Sequence, residues 1–218
     1  MKSANHTSLR VYEDIKNMML DYEIVPGQKL IFEDLARRLG VSRTPVNNAL
    51  SLLAKEGFLD FFPNQGYTVH ELTKKEGEEL WQVREIVELG AVPIAIRKLT
   101  PEKVEALESR KRDYEDYVNK VPSQVVRIKW NIDLAFHTCI VRMTDNNYLA
   151  DYFSDIGQRN FLRHKIEGFG ADRAREVIKE HEEIFEAIKL KDVESAKEAI
   201  KSHIKAGKKY IFSQVFRK

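Results

Sequence analysis

Features of secreted and membrane proteins are nearly missing from this chain. Its 218 residues contain a single cysteine, Cys139, which excludes an internal disulfide framework and is typical of a reducing cytoplasm. Cys139 lies in an apolar helical stretch, where a buried thiol is more common than a reactive one. No uncharged apolar run approaches the roughly 20 residues that cross a bilayer, and the first residues lack the apolar segment of a signal peptide. We therefore expect a soluble, cytoplasmic protein that has no contact with a membrane.

A strong excess of charge is absent as well. The 36 lysines and arginines nearly balance the 34 aspartates and glutamates, which gives a formal net charge of +2. Residues 1–72 carry eight basic and nine acidic side chains. Any binding to nucleic acid must therefore come from a few well-placed cations and not from a basic domain. With 43% hydrophobic and 32% charged residues, the composition indicates a folded chain of one or two domains.

The segment around Gly40 has the pattern of two short helices joined by a turn. Apolar periodicity predicts a helix over residues 30–39, and Gly40 follows it as a C-cap. Ser42 can cap the next helix, and Pro45 falls in its first turn, where a missing N–H costs least. An amphipathic helix is predicted earlier, over residues 7–22. This order predicts a helix-turn-helix, whose second helix enters the major groove of DNA with its N-terminus leading.

Two short runs rich in β-forming residues follow the second of these helices. They are Leu59–Phe62 and Gly66–His70, and the turn-forming residues from Pro63 to Gly66 connect them. The pattern predicts a β-hairpin. Residues 1–72 are therefore expected to fold as a winged helix-turn-helix DNA-binding domain.

The remainder of the chain, residues 73–218, shows helical periodicity and no alternating strand pattern. We predict a mainly α protein in which this second domain is an all-α bundle of six or seven helices. Pro93 lies within the first of these helices and can kink or split it. The predicted helices cover residues 73–98, 101–119, 122–144, 146–166, 171–190 and 192–215.

Both halves of the chain carry motifs of a known family. The stretch GVSRTPVNNALSLLAKEGFL, followed by PNQGYTV, resembles the winged-helix head of the GntR superfamily of bacterial transcription regulators. The later motifs LWQVREIVELGAV, DLAFHTCIVRMTDNNYL and EHEEIFEAIKLKDVESAKEAIKSHI are similar to the FCD ligand-binding domain of its FadR subfamily. The resemblance covers nearly the whole chain in the same order. It implies a homodimeric regulator, commonly a repressor, that binds palindromic operator DNA.

The tip of the recognition helix carries the candidate DNA-reading residues. Ser42, Arg43 and Thr44 lie at its N-terminus, where free N–H groups and hydroxyls favour phosphate. Arg43 can also donate two hydrogen bonds to guanine, and Asn47, one turn later, can pair with adenine. Gly66 allows the hairpin tip to approach a backbone closely. Taken singly, each has a plain structural explanation: Ser42 as a cap, Arg43 as a solvated side chain and Gly66 as a turn residue.

Two positions depart from the pattern that the resemblance implies. The family usually has an arginine where this chain has Asn47, and often a basic residue near Glu33. Both positions commonly contact DNA in the family. We therefore expect the same binding mode with an operator sequence that differs from the usual one.

Four residues of the second domain form a candidate metal site. Asp133 and His137 are four residues apart and so project from one helix face. His181 and His203 lie on two later helices, and three helices of a bundle can bring the four side chains to one interior point. Three imidazoles and a carboxylate suit a divalent transition metal such as Zn²⁺ or Ni²⁺. The spacing alone is more often found on a helix surface, but the resemblance implies this ligand set, because many FCD domains bind metal through an Asp-x-x-x-His pair and two later histidines.

Basic residues of the same domain are candidates for effector binding. The resemblance implies that Arg84 faces the effector pocket and pairs with a carboxylate, whereas the alternative is a helix-surface pair with Glu88, which is worth little. Arg159 and Arg163 are further candidates for the same pocket. The hypothesis is that a small organic acid binds beside the metal and Arg84, and changes operator affinity by favouring one of two arrangements of the dimer. Residues 73–218 are thus predicted to form the metal-binding, effector-binding and dimerisation domain.

Other functions stay open on the sequence alone. The chain could sense the metal itself, or carry a metal that only stabilises the fold. An enzyme is disfavoured, because the chain has no HExxH motif and no nucleophile or general base placed by a motif. We therefore expect no catalytic residues.

Overall fold

The computed structural model describes residues 2–120, 125–126, 130–162 and 169–216. The chain divides into two compact units, and the main boundary between them lies between Leu72 and Thr73. Each unit has its own hydrophobic core, and the two are described separately. Within these ranges, no helix combines the length and the apolar composition that crossing a membrane requires.

The first unit contains three helices and a three-stranded antiparallel sheet. The helices are α1 (Lys2–Leu20), α2 (Phe32–Leu39) and α3 (Arg43–Lys55), and the strands are β1 (Lys29–Leu30), β2 (Leu59–Phe62) and β3 (Gly66–Val69). The strand order is β1-β3-β2. β2 and β3 form the predicted hairpin, in which Leu59 lies opposite Val69 and Phe62 opposite Gly66. The predicted winged helix-turn-helix is therefore confirmed, with β1 as an additional strand.

Local sequence explains where the helices of the helix-turn-helix end and begin. Gly40 follows α2 in the left-handed conformation (φ 65°), which glycine adopts without strain, and its N–H donates to carbonyls of the last turn. Ser42 has the extended backbone of an N-cap, but its side chain makes no capping hydrogen bond. Val46, Leu50 and Leu53 on α3 are fully buried. Burial of this apolar face leaves the polar face of α3 turned to solvent.

The second unit has six helices in the part of it that the structure describes. They are α4 (Lys74–Arg97), α5 (Pro101–Lys120), α6 (Trp130–Arg142), α7 (Asn147–Leu162), α8 (Ala171–Lys189) and α9 (Val193–Val215), with two short paired strands, β4 (Val125–Val126) and β5 (Phe169–Gly170). α4 begins with a capping box between Thr73 and Glu76, and it continues through Pro93 without ending. The predicted mainly helical domain is confirmed.

Some predicted details of this unit were wrong. The helix expected over residues 122–144 begins only at Trp130, because Val125 and Val126 lie in a strand that pairs with β5. Neither this strand pair nor β1 was predicted, since strands of two residues are too short to show an alternating pattern. The helix expected over residues 146–166 is described as far as Leu162, and the rest of that range lies outside the described residues.

Helix packing in the second unit arranges α4, α6, α8 and α9 around one interior region. α9 packs against both α4 and α8, and α6 packs against α4 and α5. Gly207 allows α9 to approach α4 closely, since a Cβ atom there would lie 3.1 Å from the Trp81 ring. At Gly157 on α7, a Cβ atom would overlap the Leu134 side chain of α6. These close approaches bring polar side chains from several helices within reach of one another.

Candidate functional site

The four predicted metal ligands lie together in the interior of the second unit. Asp133 and His137 come from α6, His181 from α8 and His203 from α9. Each of the four residues is 5% exposed or less. Each offers one ligand atom, and these atoms lie within 4.8 Å of one another. The spacing seen in the sequence therefore corresponds to a buried cluster and not to four separate surface residues.

Burial and close partners together shift the pKa values of Asp133, His181 and His203. Burial alone would raise the pKa of Asp133, but its contact with His181, the nearby His137 and the Arg84 guanidinium hold that pKa well below its usual value. The Asp133 Oδ1 atom lies 3.3 Å from Nε2 of His181 and 3.9 Å from Nε2 of His137. Burial lowers the pKa of His181 to about 3 and lowers that of His203 as well. An ionised carboxylate and neutral imidazoles are the forms that bind a metal ion.

A fully buried glutamate, which the sequence pattern did not single out as part of the site, holds His137. Nδ1 of His137 lies 2.7 Å from Oε2 of Glu88. Nε of Arg84 donates to Oε1 of the same carboxylate, also at 2.7 Å. Burial would raise the pKa of Glu88, but His137 and Arg84 lower it to about 2. The Arg84–Glu88 pair is therefore present, but it is an interior pair and not the surface pair considered as the alternative.

A second glutamate makes the equivalent contact with His203. Nδ1 of His203 lies 2.7 Å from Oε2 of Glu180 on α8. Arg173 lies two turns before Glu180 on the same helix and donates to both of its carboxylate oxygens, at 2.6 and 2.8 Å. Burial would raise the pKa of Glu180, but His203 and Arg173 lower it to about 2. In the sequence Glu180 stands directly before His181. That position does not reveal that Glu180 contacts His203 on another helix.

The chemistry of the donor set fits a divalent transition metal. Nε2 of His137 and Nδ1 of His181 are buried and have no hydrogen-bond partner in the described part of the chain. A buried polar atom without a partner costs about 1–3 kcal/mol, so such atoms point to a ligand. Three imidazole nitrogens and one carboxylate oxygen form a set that Zn²⁺ and Ni²⁺ accept. The residues present could therefore hold such an ion.

A small cavity adjoins the Asp133 side of this cluster. Its lining includes Arg84, Asp133, Leu134, Gly157 and Asn160, and its volume is about 10 Å³. A cavity needs roughly that volume to hold a single water molecule. Nη2 of Arg84 lies 3.9 Å from Oδ2 of Asp133, so the guanidinium faces both the cavity and the cluster.

The other predicted effector residues are placed differently. Arg159 donates from Nε to Oδ2 of Asp155 on its own helix, at 2.8 Å, and it does not belong to the lining of this cavity. Arg163 lies outside the described residues. Of the three arginines, Arg84 is thus the one that borders the candidate site in the part of the chain that the structure describes.

The predicted DNA-reading residues lie on the polar side of the first unit. Ser42, Arg43, Thr44 and Asn47 are all exposed at the start of α3. Gly66 is the first residue of β3, directly after the hairpin turn, and its φ of 91° favours glycine.

The side chain of Arg43 has an acidic partner that the sequence pattern did not reveal. Its Nη2 atom lies 2.8 Å from Oε1 of Glu33 at the start of α2. Both side chains are more than half exposed, and an exposed ion pair of this kind is worth at most about 1 kcal/mol. The pair orients Arg43 without holding it back from a stronger partner.

Each of the two units matches a known protein family. Residues 7–69 match the family "Bacterial regulatory proteins, gntR family", and residues 79–206 match the FCD domain. The HTH-type transcriptional regulator YdhC of Bacillus subtilis is 28% identical over 89% of this chain and 86% of its own length. The gluconate operon transcriptional repressor of the same organism is 28% identical over 87% of this chain and 79% of its own length.

A solved structure extends this similarity to the fold. That of Escherichia coli McbR/YncC has a TM-score of 0.81 at 25% identity and covers 95% of this chain and 98% of its own. McbR is an HTH-type transcriptional regulator. These relatives are regulators of transcription and not enzymes.

The Arg173–Glu180 pair generates a prediction about stability. We expect Arg173→Ala to lower the free energy of unfolding of the metal-free protein by about 2–3 kcal/mol, because it leaves a half-buried carboxylate with fewer partners. Urea unfolding with a chelator present, followed by circular dichroism, measures this. Arg175→Ala is the matched control, since Arg175 on the same helix pairs with an exposed Asp172, and its loss should stay within about 0.5 kcal/mol. Equal losses in the two variants would contradict the role given to Arg173.

Proposed function

We infer that the chain, which belongs to the gntR family of bacterial regulatory proteins and carries an FCD domain, is a transcription regulator whose DNA binding responds to a small organic acid held at a divalent metal. Membership of this family establishes that the chain is a transcription regulator. The metal, the effector, the dimer and repression are our proposals. The observation that carries the metal and effector proposals is the buried quartet of Asp133, His137, His181 and His203 beside Arg84.

Operator recognition is proposed to depend on the exposed start of α3. The helix N-terminus presents free N–H groups to a phosphate, and the hydroxyls of Ser42 and Thr44 add donors. Arg43 supplies the charge and can bind guanine with two hydrogen bonds. Asn47, exposed one turn later, is suited to adenine. Gly66 at the hairpin turn lets the wing approach the DNA backbone.

The proposed role of Arg43 in operator binding can be tested by substitution. We expect Arg43→Ala to weaken binding to the operator by about 1–3 kcal/mol and to relax base preference at one position, because a bidentate base contact is lost. Gel-shift titration against the operator, identified by genomic selection with the wild type, measures both effects. Lys55→Ala removes the same charge from the far, exposed end of α3 and should leave base preference unchanged. An unchanged affinity in the Arg43 variant would overturn the assignment.

Dimerisation is proposed to use the exposed apolar face of α4. Val83 and Ile86 are exposed on this helix, and Gly90 follows at the spacing that continues the same face. A Cβ atom on Gly90 would meet nothing within 4 Å, so another backbone could approach there. The proposed occupant is a second copy of this chain, because a palindromic operator is read by two heads related by two-fold symmetry.

A charge on this face should separate the two copies. We expect Ile86→Glu to shift the protein from dimer to monomer in sedimentation velocity, since a symmetric contact buries the new charge twice. Leu190→Glu is the control, because Leu190 is equally exposed and apolar but lies at the end of α8. A folded Ile86→Glu variant that stays dimeric would exclude this face.

Effector binding is proposed at the cavity between Arg84 and Asp133. A carboxylate there could bind Arg84 and complete the coordination of a metal that has four protein ligands. A cavity of about 10 Å³ does not admit an organic acid. Such an acid must therefore displace the Leu134 side chain or separate α6 from α7, and it would favour an arrangement that is more open here. One relative is named for the gluconate operon, which makes sugar acids reasonable first candidates.

A sensor of the metal itself is the second candidate function. The small size of the same cavity favours it, because four protein ligands already fill a tetrahedral shell. The two proposals differ in what changes DNA affinity: metal alone for a metal sensor, and metal with acid for an acid sensor. A metal with a purely structural role would raise the melting temperature and leave DNA binding unchanged.

Calorimetry on metal-loaded and metal-free protein tests these proposals. We expect Zn²⁺-loaded wild type to bind one member of a carboxylate panel that includes gluconate, and the metal-free protein or His203→Gln to bind it at least tenfold more weakly. His70→Gln is the control, since His70 pairs with Asp60 in the first unit, outside the quartet. Failure of loaded protein to bind any acid, with operator affinity that follows Zn²⁺ alone, would replace the acid sensor by the metal sensor.

A further inference from the structure

We propose that Glu88 and Glu180 are positioning residues of the metal centre, each fixing one histidine so that its Nε2 lone pair faces the ion. The inference rests on the proposed metal function. It assigns a role to two carboxylates that are not themselves members of the ligand quartet. It also assigns Arg84 and Arg173 the task of holding those carboxylates in place.

The geometry consists of two parallel chains of hydrogen bonds. One runs from Arg84 through Glu88 to Nδ1 of His137, and every donor–acceptor distance in it is 2.7 Å. The other runs from Arg173 through Glu180 to Nδ1 of His203, with distances between 2.6 and 2.8 Å. Distances of this length are typical of hydrogen bonds to a charged partner. The two chains start on different helices and end on two ligands of the same cluster.

An ionised carboxylate decides the tautomer of the ring that it contacts. It can only accept a hydrogen bond, so Nδ1 of the facing histidine must carry the proton. In a neutral imidazole the lone pair then lies on Nε2. In His137 this is the buried atom without a hydrogen-bond partner among the described residues, and it lies 3.9 Å from Oδ1 of Asp133. The contact with Glu88 thus leaves Nε2 of His137 ready to bind an ion.

Each arginine makes it possible for its carboxylate to stay charged inside the protein. Glu88 is fully buried, and an isolated buried charge would be strongly unfavourable. Arg84 and Arg173 are themselves only 6% exposed and compensate the two negative charges. The stacked rings of His137 and His203, with centroids 4.7 Å apart, further restrict rotation of either ring.

The third histidine is held in another way. The ring of His181 stacks on Phe136, with centroids 4.1 Å apart, and meets Tyr114 edge to face. Its Nδ1 atom has no hydrogen-bond partner in the described ranges. The two glutamates should therefore act on His137 and His203 separately and leave His181 unchanged. If packing alone held the rings, the loss of one glutamate would not affect one histidine selectively.

The test compares three variants of α8 by metal affinity and by histidine tautomer. Glu180→Ala should weaken Zn²⁺ binding about 10- to 100-fold in a chelator competition, and Glu180→Gln, which keeps an acceptor oxygen, should recover part of that loss. Glu176→Ala is the matched control, because Glu176 also contacts Arg173, at 3.1 Å, but is exposed and contacts no histidine among the described residues. Its Zn²⁺ affinity should equal that of the wild type.

Tautomers are read in the metal-free protein by long-range ¹H–¹⁵N correlation spectra. Wild-type His137 and His203 should both carry the proton on Nδ1, and Glu180→Ala should change His203 alone. Glu88→Gln should likewise change the tautomer of His137 alone. If the Glu88→Gln variant does not fold, the Glu180 variants test the inference by themselves. A wild-type His203 protonated on Nε2, or equal affinities in the Glu180→Ala and Glu176→Ala variants, would overturn the inference. Wild type that shows the expected tautomers but does not bind Zn²⁺ would instead refute the proposed metal function.

Discussion

The need to keep negative charge inside the helical unit governs the arrangement of the rest of the site. Asp133 and Glu88 are both ionised and almost fully buried, and each must therefore lie next to cationic or hydrogen-bonding partners. Those partners come from different helices, so the two carboxylates connect α4, α6 and α8. A divalent ion at the quartet would add the remaining positive charge. The same constraint explains why arginines, which are rarely buried, occur in this interior.

The proposed regulation depends on the presence of the buried Asp/His cluster and a winged helix-turn-helix domain in the same chain. Residues 1–72 carry one more acidic than basic side chain, and we propose that the affinity of this domain for DNA depends on a few exposed groups at the start of α3 and is modest. A modest affinity is easily changed by a ligand that favours one arrangement over another, since a coupling of about 1–3 kcal/mol changes binding 5- to 150-fold. The small cavity beside Asp133 supplies a reason for two arrangements, because the proposed acid would enter it only after side chains move.

Features with a local cause could be predicted from the sequence, and those that depend on distant partners could not. Gly40 and the apolar stripe of α3 predict the helix-turn-helix, and the Asp133–His137 spacing predicts half of the candidate metal site. The pairing of β4 with β5 has no such local signal, so the helix expected to start at residue 122 was placed too early. Glu88 and Glu180 were overlooked for the same reason: their histidines lie on other helices, and helical spacing shows only that Arg84 and Glu88 are neighbours.

The central claim is that three imidazoles and one carboxylate surround a single ion in the second unit. X-ray absorption spectroscopy of the Zn²⁺-loaded protein tests it directly, because imidazole rings produce a distinct multiple-scattering pattern. The quartet predicts three imidazole nitrogens and at least one oxygen at about 2.0–2.2 Å from one zinc ion per chain. A shell with one imidazole or none, or a shell that includes the sulfur of Cys139, would contradict it.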